Sequence, residues 1–103
     1  MNIKLAILLS LLSASLLIGA DHGKEVYYKK CVSCHGVHGE KEALGTSRPI
    51  NTLTEEEVRR ALTGYVDGSY GGKYKHLKRG MARTLSKEDI DALSVYIQTL
   101  KPQ

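Results

Sequence analysis

The chain has 103 residues, which is enough for one small domain, and its 15 Lys and Arg against 11 Asp and Glu give a net charge of +4. This balance is only mildly basic and gives no indication of a nucleic-acid-binding protein. The chain has six tyrosines but neither phenylalanine nor tryptophan. A domain this small, with so few large apolar side chains, usually needs a disulfide, a metal or a cofactor to be stable.

The first 20 residues differ in composition from the rest of the chain. After Lys4, residues 5–18 are apolar except for three serines, and Gly19 and Ala20 precede the first acidic residue, Asp21. A short basic start, an apolar run and a small-residue exit predict a secretory signal peptide over residues 1–20, cleaved after Ala20. The apolar run is shorter than the roughly 20 residues that span a bilayer. An uncleaved membrane anchor is the alternative, and residues 21–103 form the predicted domain.

The next feature is the pentapeptide Cys31-Val32-Ser33-Cys34-His35. Two cysteines separated by two residues and followed directly by histidine are the attachment signature of a c-type haem. In one helical turn, both thiols and the imidazole would face the same side. A redox dithiol or a zinc site completed by His38 could use the same cysteines. The absence of strand–helix alternation argues against the dithiol, and the absence of a second CxxC argues against zinc.

Three helices are predicted, and no stretch alternates long enough for a strand. The first covers about residues 22–34. The second begins at Thr54, whose Thr-Glu-Glu-Glu sequence is a capping box, and the third begins with the similar box at Ser86. Glycines are concentrated between the second and third helices, which predicts an irregular loop at Gly64, Gly68, Gly71, Gly72 and Gly80. The expected fold class is therefore all-α.

A second axial ligand for a haem iron can be sought in the segment before the third helix. Met81 is the single methionine after the predicted signal peptide and lies 46 residues after His35. A thioether is a soft neutral ligand that raises the reduction potential of haem iron. Met81 could instead fill a gap in the core. His76 is the rival ligand, and it would give a bis-histidine haem of lower potential.

The chain resembles the class I monohaem cytochromes c, specifically the small bacterial electron carriers of the cytochrome c-553 kind. The resemblance covers most of residues 23–100. Its matching segments are Tyr27, Cys31–Gly36, Ala43-Leu44-Gly45, Ser47-Arg48-Pro49-Ile50, Gly64–Gly72 and Leu85–Ile97.

The resemblance implies a small cytochrome c fold, with about three main helices around one haem c bound covalently through Cys31 and Cys34. It implies that the first and last helices cross at Gly23, with Tyr27 and Tyr96 packed near the crossing. The Pro49 carbonyl is expected to accept the Nδ1 proton of His35, which would orient the ring. Tyr65 and Tyr70 are expected to line the haem pocket. In cytochromes of the c-553 kind the ligand methionine falls about where Lys78 stands here, so Lys78 is also a candidate in the question of the distal ligand.

The function implied is that of a periplasmic electron carrier, not an enzyme, working as a monomer with His35 and Met81 as axial ligands. Its implied partners are a membrane quinol-oxidising complex or dehydrogenase as donor and a terminal oxidase or peroxidase as acceptor. A basic cluster is expected to ring the haem edge and to steer an acidic partner, through Lys73, Lys75, Lys78, Arg79 and Arg83. The alternative is a haem protein with an open or bis-histidine distal site, suited to gas or peroxide chemistry or to low-potential transfer.

Overall fold

The computed structural model describes residues 21–45, 48–73 and 75–102, so the predicted signal peptide lies outside the described residues. These ranges contain no strand, which confirms the all-α fold class. The first helix, α1, covers residues 21–30, and it is followed by α2 (Val32–His35), α3 (Glu55–Asp67), α4 (Lys75–Ala82) and α5 (Lys87–Gln98). Two 3-10 turns, Ala43–Gly45 and Ile50–Thr52, lie between α2 and α3. In the described part of the chain, no helix has both the length and the apolar character needed to cross a bilayer.

The first predicted helix is interrupted at the haem-attachment motif. Cys31 has φ −120° and ψ −34°, well away from the helical φ near −63°, and it separates α1 from the single turn of α2. Gly36, at φ 84°, ends α2 and donates its N–H to the Val32 carbonyl at 2.8 Å. The prediction of one continuous helix over residues 22–34 was therefore wrong at Cys31, whose backbone angles are not helical.

Both predicted capping boxes are present and fix the starts of α3 and α5. The Thr54 hydroxyl accepts the Glu57 N–H at 3.1 Å, and the Glu57 carboxylate accepts the Thr54 N–H at 3.1 Å. Ser86 and Asp89 make the same exchange, at 3.0 and 2.9 Å. Gly68 ends α3 in the left-handed conformation, as its position after Asp67 predicts.

Helix α4 occupies the segment that was predicted to be an irregular loop. The glycine-rich sequence was the reason for that prediction, and it was wrong because tertiary packing outweighs a weak local preference. Ala82 at the end of α4 is fully buried, and Met81 packs against the buried core. Gly80 within the helix weakens it by only about 0.5–1 kcal/mol relative to alanine. Met81 therefore lies on a helix rather than in a loop.

The first and last helices cross as expected, with Gly23 at the point of closest approach. A Cβ atom on Gly23 would lie 2.5 Å from the Ala92 carbonyl oxygen and 2.9 Å from the Tyr96 Cβ. The ring centroids of Tyr27 and Tyr96 are 5.5 Å apart beside this crossing. The buried core extends from there along α3 and α5, and its members are Val26, Tyr27, Cys31, Val58, Leu85, Ile90, Leu93 and Ile97.

A histidine–carboxylate contact also joins α1 to α5. His22 is half-buried, and its Nε2 lies 2.6 Å from Asp89 Oδ1. The Asp89 carboxylate also accepts the Ser86 N–H, and these contacts hold the pKa of Asp89 below its usual value of 3.8, with the Ser86 backbone as the largest cause and His22 next. Asp89 thus both caps α5 and binds α1.

These contacts predict a stability contribution that is lost in acid. A carboxyl whose pKa is lower in the folded than in the unfolded protein stabilises the fold above its unfolded pKa, and that stability declines as the pH falls through the folded pKa. As the pH drops below about 4, we expect the free energy of unfolding of the wild type to decrease. The decrease should be less steep in Asp89→Asn. Urea unfolding from pH 7 to pH 2.5 measures this slope. His22→Gln should remove only the smaller part of this pH-dependent stability, because the Ser86 backbone is the larger cause of the lowered pKa of Asp89. Equal slopes in the wild type and Asp89→Asn would show that Asp89 is not its source.

Candidate functional site

Residues from α2, α3, α4 and α5 and from the turns between them line one cavity of about 590 Å³, a size typical of small-molecule sites. Its apolar lining is buried or half-buried and consists of Ile50, Leu53, Val58, Ala61, Leu62, Leu93 and Ile97. Its basic lining is exposed apart from the half-buried Lys78 and consists of Arg48, Arg60, Lys73, Lys75 and Lys78. The cavity therefore suits a ligand with a large apolar body and anionic groups near solvent.

Cys31 and His35 both line the cavity. Burial raises the pKa of the Cys31 thiol to about 11. Burial also lowers the pKa of His35, and the nearby Lys78 ammonium adds to that effect. The ring therefore favours its neutral form, which is the form that binds a metal. His35 Nδ1 is buried and has no hydrogen-bond partner among the described residues.

Two predicted site residues are placed elsewhere. Cys34 is exposed and does not line the cavity. The expected hydrogen bond between His35 and Pro49 is also absent among the described residues, which corrects that expectation. The Pro49 carbonyl instead accepts the backbone N–H of Thr52 at 3.1 Å and its hydroxyl at 2.6 Å. Both acceptor positions of that carbonyl are thus used within a 3-10 turn.

Helix α4 supplies the candidate distal residues. Lys75, Lys78 and Met81 recur at every third position, so they share the helix face that lines the cavity. Met81 is half-buried, and the Lys78 ammonium lies 5.6 Å from the centroid of the Tyr65 ring. His76 is exposed and does not line the cavity, which argues against a bis-histidine site.

Tyr65 and Tyr70 both line the cavity. Their ring centroids are 5.1 Å apart, with an interplanar angle of 88°, an edge-to-face arrangement. Burial raises the pKa of Tyr65. A Cβ on Gly64 would overlap the Tyr70 Cβ, so a glycine at this position lets the two tyrosines pack together.

Three polar lining residues were not foreseen as site residues: Arg48, Glu57 and Arg60. Arg48 Nη1 lies 3.8 Å from Glu57 Oε2. The pKa of Glu57 lies below its usual value, chiefly because Thr54 donates hydrogen bonds to it, and Arg48 and Arg60 add to the effect. The sequence could have indicated Glu57 and Arg60 as a pair, because residues three apart on a helix are neighbours on its surface.

Comparison with known proteins identifies the family. The family model of cytochrome c matches residues 20–101. The chain belongs to the cytochrome c family. It is 43% identical over 79 residues to the cytochrome c-553 of Desulfomicrobium norvegicum, across 77% of this chain and 96% of that protein. It is 42% identical over 73 residues to the cytochrome c-553 of Helicobacter pylori strain 26695, across 71% of this chain and 73% of that protein.

This cytochrome is a small class I protein that carries covalent haem c at the CxxCH motif of Cys31 and Cys34. The residues that line the cavity also fit a haem. The half-buried imidazole of His35, whose buried Nδ1 has no partner among the described residues, and the thioether of Met81 line the same apolar space, and both groups are established haem ligands. When bound, haem supplies an iron that takes up and releases one electron, which makes the protein an electron carrier.

Proposed function

We propose that this cytochrome c is an exported, monomeric single-electron carrier, in which His35 and Met81 are the two axial ligands of the haem iron. The observation that carries this proposal is that both side chains, 46 residues apart in sequence, line the same cavity as Cys31. The sequence of residues 1–20 supports export, with residues 21–103 forming the mature periplasmic protein.

The surrounding side chains support electron transfer rather than chemistry on a substrate. Aliphatic side chains of α3 and α5 cover the apolar part of the cavity, and Tyr65 and Tyr70 close another side of it. Apolar surroundings keep rearrangement of solvent small when the charge of a cofactor changes. Met81, as a neutral soft donor, would favour ferrous iron and raise the reduction potential.

Met81→Ala tests the distal ligand. We expect the wild-type ferric protein to show the weak far-red absorption band of a methionine–iron bond and the ferrous protein to resist carbon monoxide. The variant should lose the band, bind carbon monoxide and have a lower reduction potential, because the iron loses a donor that favours its reduced form. Absorption spectra and a redox titration measure all three effects.

Lys78→Ala is the matched control, because Lys78 lies one turn away on the same face of α4. It should keep the far-red band. If the band survives in Met81→Ala, or if the wild type lacks it, Met81 is not the ligand. Carbon monoxide binding by the wild type would instead favour the open distal site of a gas- or peroxide-reactive protein.

The basic side of the cavity suggests the kind of redox partner. Lys73 and Lys75 line the cavity and are exposed, and Arg83 is exposed just beyond α4. We propose that this surface steers acidic patches of a membrane quinol-oxidising complex or dehydrogenase as donor, and of a terminal oxidase or peroxidase as acceptor. Because salt screens such attraction, the second-order rate of electron exchange should fall as ionic strength rises. Stopped-flow rates that are flat across a salt series would exclude steering.

A further inference from the structure

Helix α4, which carries Met81, is weak by its own sequence. It has eight residues, and a helix shorter than about 12 residues is marginal in water without tertiary contacts. Its first residue is Lys75 and its first turn holds no acidic residue, so positive charge lies at the positive end of the helix dipole. The position of Met81 therefore depends on the contacts that hold α4 against the rest of the protein.

Arg79 joins α4 to the end of α3. Its guanidinium lies against Gly68, the left-handed residue that ends α3, where an added Cβ would be 3.7 Å from Cζ, 3.7 Å from Nη1 and 3.8 Å from Nη2. Because these three distances are nearly equal, the flat face of the guanidinium rests on the glycine. Arg79 is half-buried, and its buried Nε has no hydrogen-bond partner among the described residues. The contact is therefore made by packing and charge rather than by a hydrogen bond from Nε.

The end of α3 presents negative charge to this cation. The last carbonyl groups of a helix form the negative end of its dipole, where an arginine is favourable. The Asp67 carboxylate lies at the same end. Hydrogen bonds from Ser69 are the main cause that holds the pKa of Asp67 below its usual value of 3.8, and the positive charge of Arg79 adds to the effect. The guanidinium thus meets a helix terminus and a carboxylate that both attract it.

We propose that Arg79 is a positioning residue that holds α4 on the end of α3 and thereby keeps Met81 at the haem iron. The inference rests on the proposed function, because it requires Met81 to be an axial ligand. Residues two apart on a helix point in roughly opposite directions, about 200° around the axis. Met81 lines the cavity, whereas Arg79 does not line it and rests on Gly68. The contact of Arg79 with α3 therefore limits how far the opposite side of α4 can move away from the cavity.

Cyanide binding to the ferric holoprotein measures how often Met81 leaves the iron. Cyanide must take the place of the methionine, so at saturating cyanide the rate of loss of the far-red band reaches a limit set by the dissociation of Met81. In Arg79→Gln we expect this limit to rise roughly two- to fivefold, the size of effect that a cation at a helix C-terminus commonly gives. A merely structural role would lower the midpoint of denaturant unfolding without changing the cyanide limit.

Two further variants identify what Arg79 acts on. Lys87→Gln is the matched control, because it removes the same charge from the exposed first residue of α5, and it should keep the wild-type limit. Asp67→Asn removes one of the two negative groups at the end of α3. In that background Arg79→Gln should raise the limit less than it does in the wild type, because part of the attraction is already gone.

The outcomes separate this inference from the proposed function. An unchanged limit in Arg79→Gln, or an equal rise in Lys87→Gln, would overturn the inference, because Arg79 would then not hold α4 or would act only through net charge. An equal rise with and without Asp67→Asn would also overturn it, because Arg79 would not act through the end of α3. Each of these results leaves Met81 as the ligand. Failure of the proposed function would instead appear in the wild type, whose ferric protein would lack the far-red band.

Discussion

Replacing both Cys31 and Cys34 with alanine is expected to give an exported protein whose mass equals that of residues 21–103 without haem. No thiol then remains to form a thioether bond to the cofactor. The wild type should have the mass of residues 21–103 plus one haem, and it should keep its colour under denaturing conditions. Mass spectrometry of the denatured periplasmic protein measures both. A haem mass that persists in the double variant would contradict attachment at this motif.

The two single variants should differ in stability, because the structure places the cysteines differently. Cys31 is 7% exposed and belongs to the buried core, whereas Cys34 is exposed. Each alanine variant loses one thioether bond, but only Cys31→Ala also removes a buried side-chain group. We expect its free energy of unfolding to be about 1–2 kcal/mol lower than that of Cys34→Ala. Equal stabilities would mean that the holoprotein buries both sulfurs equally.

Replacing Gly23 with alanine is expected to lower the free energy of unfolding by about 1–3 kcal/mol. The added Cβ would lie 2.5 Å from the Ala92 carbonyl oxygen, which belongs to the backbone of α5, so the two helices would have to move apart. Denaturant unfolding monitored by circular dichroism measures the change.

Gly80→Ala is the matched control and should have the opposite sign. Gly80 lies within α4, and a Cβ at that position would meet nothing within 4 Å. Alanine should therefore stabilise α4 by about 0.5–1 kcal/mol through its higher helix propensity. A destabilised Gly80→Ala, or a Gly23→Ala variant as stable as the wild type, would contradict this account of the helix crossing.

The parts of the fold that were predicted correctly are those with strong local signals. The starts of α3 and α5 follow from capping boxes, in which hydrogen bonds join residues three apart and therefore depend little on the rest of the chain. The haem motif also lies within five consecutive residues. The crossing at Gly23 was expected only through the resemblance, since neither helix by itself identifies its partner.

The features that were missed depend on contacts between distant segments. Helix α4 forms because Met81 and Ala82 pack on the core, although its sequence includes a glycine. Arg59 donates to Asp91 of α5, whereas the adjacent Arg60 lines the cavity. This difference follows from how α3 packs against α5, and the two arginines look alike in the sequence. The break between α1 and α2 occurs at the single residue Cys31. Local sequence patterns specify none of these.

The meeting of α1 with α5 has a consequence for the order of biosynthesis. The His22–Asp89 contact joins residues 67 positions apart, so the crossing cannot form until the ribosome has synthesised the final helix. The motif at residues 31–35 is synthesised before that helix, so its two thiols are present in the growing chain before α1 can pack against α5. Attachment of haem during that interval would therefore not require the helix crossing to open.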